Sequence, residues 1–324
     1  MSDSLMFLDA QAVAEALPWP ALIEALQRAF VAGDATVPDR LHYTLTEAET
    51  NAPVLLVMPA WSASLGVGTK LVSVYPQNQR LGLPSIHGLY LLMDPANGKP
   101  LAVLDGGELT ARRTAAASAL ASRHLSRPDS RCLLMVGTGR LAHYLPLAHA
   151  TTRPIDRVLV WGRSLEKSEA TAHALQAQGL RAEAVPSLAD AAAQADIVSC
   201  ATLSNQALLH GNWLRPGTHV DLVGAFTPTM RETDERVFAR ASAVWCDTRD
   251  GALREAGDIV QAIASGAFDA SRIAGDITAL CRTGTRRGAD DITVFKSVGM
   301  ALEDLAAARL CVDHHARSSS RDRS

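Results

Sequence analysis

Residues 131–150 read RCLLMVGTGRLAHYLPLAHA: an apolar run, then Gly137, Gly139 and Ala142 spaced as G-x-G-x-x-A, then a helical pattern. An apolar strand that turns through glycines into a helix opens a dinucleotide-binding βαβ unit. The first glycine permits the tight turn, and the second admits a pyrophosphate against the backbone. The small third residue lets helix pack on strand. The rhythm then repeats. RVLVWG precedes RSLEKSEATAHALQAQG, and DIVSCAT, HVDLVGA and AVWCD are further short apolar runs between helical stretches. From 131 onward this alternation predicts an α/β fold, a Rossmann-type doubly wound parallel sheet.

The end of the second strand bears on cofactor choice. A site for NAD usually carries an acidic residue about twenty residues past the glycines, where it accepts from the ribose 2′-hydroxyl. Here the strand ends in Gly162, Arg163 and Ser164, with Lys167 a turn later. A guanidinium binds a 2′-phosphate, whereas a carboxylate repels it. The expected cofactor is NADPH, with NADH a weaker possibility.

Before 127 the chain mixes helices and strands. LDAQAVAEAL and PALIEALQRAF have helical spacing, with Asp9 as a cap and Pro18 and Pro20 as breakers. PVLLVMPAW, GTKLVSVYP and GLYLLMDPANGKPLAVLD read as strands, and LTARRTAAASALASRHL as an alanine-rich helix. Lys70 interrupts an apolar strand, where an unpaired ammonium is costly, and its own segment offers no obvious carboxylate. Arg40 and Arg113 add two more cations, so the three suit one carboxylate-bearing substrate. Hydrophobic residues make up 48% and the formal charge is −3, a balance that gives no electrostatic case for nucleic acid or membrane surfaces. No apolar stretch reaches the ~20 residues of a membrane span. The five widely spaced cysteines read as reduced thiols, without a metal-type pairing, and a cytoplasmic protein is expected. Residues 313–324, DHHARSSSRDRS, read as a disordered polar tail in which His314 and His315 are solvated rather than metal ligands.

VPDR, GTKLVSVYPQN, LDGGELTARRTAAASA, VGTGRLA, LRPGTHVDLVGAFTPTMRE and DDITVFKSVGMALEDL together resemble the ornithine cyclodeaminase/μ-crystallin family. The matches recur in order from about residue 8 to 310. The resemblance implies a discontinuous α+β substrate-binding and dimerisation domain, 1–127 plus 299–324, around a Rossmann domain, 128–298, and hence a homodimer. It places the substrate carboxylate on Arg40, Lys70 and Arg113. It places the cofactor on Gly137, Thr138, Gly139, Arg140, Leu141 and Ala142, on Gly162 to Ser164, and on Thr202, Leu203, Val223, Lys296 and Ser297. Leu141 stands where many members carry glutamine.

Phe226 is the larger departure. The family's cyclodeaminases have an aspartate at this point of the GA-x-x-P turn, where it handles protons during loss of ammonia. A phenyl ring moves no proton. The GAFTP form resembles instead the family's Δ1-pyrroline-2-carboxylate and Δ1-piperideine-2-carboxylate reductases, which form L-proline and L-pipecolate. That implies an NAD(P)H-dependent ketimine reductase with Phe226 lining the substrate and Lys70 as the nearby proton donor, unless the imine arrives already protonated. The other readings are an ornithine cyclodeaminase or amino-acid dehydrogenase, which ammonia release would reveal, and a non-catalytic NADPH-binding crystallin-like protein, which would turn over no imine. Ring size is open at this point.

Overall fold

The structure, a computed structural model, describes residues 5–46 and 52–321. The chain divides into two compact units, 1–114 with 300–324, and 115–299.

In the first unit β1 (Met6–Leu8), α1 (Ala10–Ala16) and α2 (Trp19–Ala32) precede β2 (Leu41–Thr44), β3 (Val54–Ser62), β4 (Gly66–Val74), β5 (Ile86–Met93) and β6 (Pro100–Asp105). Asp9 accepts from the Ala12 amide at 2.9 Å and caps α1 as its position suggests. The six strands form one sheet in the order β1-β6-β5-β4-β3-β2, antiparallel except for the β1–β6 pair. Alternation separates its faces. Met58, Lys70 and Tyr90 lie side by side across β3, β4 and β5, and all three are buried. The opposite row, Leu41, Val57, Leu71 and Leu89, leaves three leucines exposed at 48%, 36% and 41%.

Asp105 accepts from the Glu108 amide at 2.6 Å and so starts α3 (Gly106–Leu125), the helix in which the division between units falls. The sequence suggests the link after this helix as the boundary, at 127; contact within the fold sets it at Thr114 and Ala115 instead.

The second unit runs β7 (Cys132–Val136), α4 (Leu145–Thr152), β8 (Arg157–Trp161), α5 (Leu165–Ala177), β9 (Ala182–Ala184), α6 (Leu188–Ala192), β10 (Ile197–Cys200) and β11 (His219–Leu222). It continues with α7 (Glu235–Arg240), β12 (Ala243–Cys246), α8 (Arg249–Glu255), α9 (Gly257–Ala264), β13 (Ile273–Asp276), α10 (Ile277–Thr283) and β14 (Thr293–Lys296). The eight strands are all parallel, in the order β13-β12-β14-β11-β10-β7-β8-β9. This is the expected Rossmann-type sheet. Its strand order reverses between β7 and β10, the switch point at which such sheets take ligands at their carboxyl ends. β10, β11 and β14 are buried along their whole length, as strands covered on both faces must be.

The last helix, α11 (Ala301–Arg321), returns to the first unit and packs on α2, β3, β4 and β5. The helix runs through residues 313–321 of the tail expected to be disordered, and residues 322–324 of that tail lie outside the described residues. Arg309 pairs with Asp313 one turn on at 2.6 Å, and Arg317 donates to the Asp313 carbonyl at 3.2 Å, so the helix continues through His314 and His315. Among the described residues no helix is long and apolar enough to cross a membrane.

Candidate active site

The glycine turn after β7 has the geometry of a dinucleotide cradle. Gly137 has φ +119°, and a Cβ there would meet the Ala201 carbonyl oxygen at 2.6 Å, so only glycine fits. Gly139 has no atom within 4 Å of where a Cβ would stand, which leaves its backbone open to a ligand. Ala142 is fully buried, the packing role of a small third residue. The run expected as one helix is a 3-10 turn, Arg140–His143, followed by α4. At the end of β8, Gly162 leads to exposed Arg163, and the Ser164 hydroxyl accepts from the Lys167 amide at 3.3 Å to cap α5. These residues fit a nicotinamide dinucleotide.

Two loops leave the carboxyl ends of β10 and β11. Thr202 and Leu203 follow β10, with Leu203 70% exposed; Val223 and Phe226 follow β11, with Phe226 39% exposed. The turn that displays Phe226 is tied down on both sides. The Ala225 carbonyl accepts from the Gly257 amide at 3.2 Å, and the Gln261 amide donates to the Pro228 and Met230 carbonyls at 2.9 and 3.1 Å. An apolar ring is thus presented from a fixed backbone.

The side chains of Lys296 and Ser297, expected on the cofactor, are engaged inside the unit. Lys296 is fully buried with its ammonium 3.3 Å from Asp258, and Ser297 donates to Asp247 at 3.1 Å.

In the first unit the structure brings the expected cations together and supplies what the local sequence did not, their counter-ions. Lys70 pairs with Asp304 of α11 at 2.8 Å, and its ammonium is 3.4 Å from the Thr110 hydroxyl. Arg113 Nε donates to the other Asp304 oxygen at 3.0 Å, and its Nη1 donates to Glu303. Lys70, Arg113, Glu303 and Asp304 are all buried. Burial, then the Arg113 charge, lower the Lys70 pKa to about 8; Asp304 opposes the fall, and Arg40 adds to it. The three cations therefore act on one another. Lys70 and Arg113 share the Asp304 carboxylate, and Arg40 lies near enough for its charge to act on Lys70. Tyr90, buried on the same face, has a hydroxyl with no hydrogen-bond partner among the described residues; burial and then Asp304 push its pKa well up, so the phenol stays a donor.

Fold and cradle together are those of a protein that binds a nicotinamide dinucleotide. The chain belongs to the ornithine cyclodeaminase/mu-crystallin family, whose model matches residues 4–319. It is 39% identical to the Delta(1)-pyrroline-2-carboxylate reductase of Paracoccus denitrificans, over 90% of this chain and 91% of that one. It is 34% identical to the ketimine reductase mu-crystallin of Mus musculus, over 79% of each chain. The Delta(1)-pyrroline-2-carboxylate reductase of Thermococcus litoralis, solved with NADH and L-proline, superposes with a TM-score of 0.90 at 31% identity, covering 97% of this chain and 98% of that one.

Proposed function

We propose that the protein reduces a cyclic imine carboxylate, Δ1-pyrroline-2-carboxylate or Δ1-piperideine-2-carboxylate, to L-proline or L-pipecolate. The observation that carries this reading is that a phenyl ring, Phe226, and not an acid stands in the turn after β11; within the first unit, Lys70 and Arg113 are gathered on Asp304. The names and bound ligands of the relatives support it.

Arg40, Lys70 and Arg113 hold the substrate carboxylate and so fix the ring. A nicotinamide held by the glycine turn after β7 would supply the hydride that C2 of the C=N bond takes up. The ring nitrogen gains a proton, and Lys70, with its pKa brought down to about 8, is suited to give it near neutral pH. Phe226 excludes water from the reacting ring and offers no base. No amine is expelled, so no acid is needed to handle ammonia. The test is stoichiometric: one NADPH consumed for each L-proline or L-pipecolate formed. Consumption of NADPH without amino acid, or no turnover of either imine, would remove this reading.

NADPH is the preferred reductant, through Arg163, Ser164 and Lys167. Arg163→Ala is expected to raise the KM for NADPH ~10- to 100-fold, the loss of a charge-assisted contact worth about 1.5–3 kcal/mol, and to leave NADH nearly unchanged. Equal effects on both cofactors would show that Arg163 does not read the 2′-phosphate.

The protein forms a homodimer through the outer face of the first unit's sheet. Leu41, Leu71 and Leu89 form an exposed apolar row there, with Trp61 and Phe7 also exposed on that sheet at 41% and 76%. A monomer gains nothing by showing such a surface to water. Light scattering at micromolar concentration is expected to give twice the chain mass of 34.4 kDa, and Leu71→Asp is expected to return it toward the single value. A monomeric wild-type protein would contradict this assignment.

A further inference from the structure

One buried carboxylate of the second unit has no part in the chemistry above, yet it ties together the loops that follow β10 and β11. Glu232 is fully buried. One of its oxygens accepts from the Thr202 amide at 2.6 Å and from the Thr202 hydroxyl at 2.9 Å; the other accepts from the Gly224 amide at 2.8 Å. Thr202 belongs to the loop after β10, and Gly224 stands between Val223 and Phe226 in the loop after β11. The backbone of Glu232 is fixed in turn. Its amide donates to Asp258 at 2.7 Å, and its carbonyl accepts from the Leu208 and Leu209 amides at 2.8 and 3.0 Å. Asp258 is the partner of Lys296.

We propose that Glu232 is a positioning residue for cofactor binding, whose ionised carboxylate locks the two loops together in the arrangement that receives the nicotinamide. Three donors converge on it, one from a hydroxyl and two from amides. An ionised carboxylate accepts all three; a protonated one turns a donor toward them, and a glutamine would set its own N–H₂ against one loop. The groups facing it bear on its charge. Burial and the Asp258 carboxylate push the Glu232 pKa up to about 7, whereas Lys296 and the Thr202 bonds hold it down. The neighbouring Cys200 thiol is pushed well up by burial and by these carboxylates, so it stays neutral. Protons therefore compete with the cofactor for this arrangement. The sign is fixed: the ionised form binds, so affinity is full above about pH 7 and falls as pH drops through that value.

The inference rests on the reading that Thr202, Leu203 and Val223 meet the cofactor, and the test separates the two. NADH is the probe, because it lacks the 2′-phosphate that titrates in the same range. Its Kd is measured calorimetrically between pH 6.5 and 8, in two buffers of different ionisation enthalpy. Wild-type binding is expected to release a fraction of a proton near pH 7 and to weaken several-fold toward pH 6.5. Glu232→Gln is expected to weaken binding about tenfold and to abolish the proton release. Should the variant not fold, the wild-type pH dependence decides alone. Wild-type binding that is strong but independent of pH, with no proton released, overturns the role of Glu232 and leaves the cofactor site standing. Failure to bind either NADH or NADPH overturns both.

Discussion

Lys70→Met is expected to lower kcat/KM for the cyclic imine by about 100-fold or more, since it removes both a charge-assisted contact to the substrate carboxylate and a proton donor. In the wild-type enzyme, kcat/KM should fall as pH rises through about 8, where Lys70 loses its proton, and the methionine variant should lack that limb. A folded variant within threefold of wild type at pH 7 would place the substrate elsewhere. Arg113→Ala is a poorer probe of the same clamp. Arg113 bonds both Glu303 and Asp304 in the interior, so removing it takes a buried cationic partner from each carboxylate, although Asp304 keeps Lys70. Breaking a buried pair from one side costs ~3–5 kcal/mol, so that variant should lose stability as well as activity. Thermal unfolding beside kinetics separates the two losses.

Phe226→Asp should reduce imine turnover by about 100-fold without creating a deaminase. The introduced carboxylate draws water to a position now occupied by a phenyl ring, or must be protonated to stay there, and either outcome opposes hydride delivery to an apolar ring. The hydrogen bonds that fix the turn come from Ala225, Pro228 and Met230 backbone, so the fold should tolerate the change. Unfolding midpoints within a few degrees of wild type, with imine reduction largely lost, are the expected pair of results. Wild-type turnover in the variant would show that the ring is not beside the chemistry.

The second unit was largely legible in the sequence because its signals are local. A glycine turn between an apolar strand and a helix needs nothing distant to define it: Gly137 makes the tight turn, Gly139 has open space beside its backbone and Ala142 is packed inside. The insertion of β14 between β11 and β12 was not legible, since neighbours in a parallel sheet are set by crossovers and not by adjacent residues. The counter-ions of the clamp were hidden for a similar reason. Asp304 lies more than two hundred residues from Lys70 in the chain and meets it only because α11 packs on β4. MALEDL marked the helix, but nothing in it said which strand its carboxylates would face. Glu232 carries no local signal of its role, because its three donors come from two separate loops. The composition of residues 313–321 reads as a polar tail, whereas α11 runs to Arg321.

The most direct test is a pair of assays on one preparation of wild-type enzyme. Formation of L-proline from Δ1-pyrroline-2-carboxylate is followed with NADPH, and release of ammonia from L-ornithine is followed with NAD. With Phe226 where a proton-handling acid would stand, the first should be robust and the second at background. Robust ornithine-dependent ammonia release with proline formation, and no imine reduction, would contradict it.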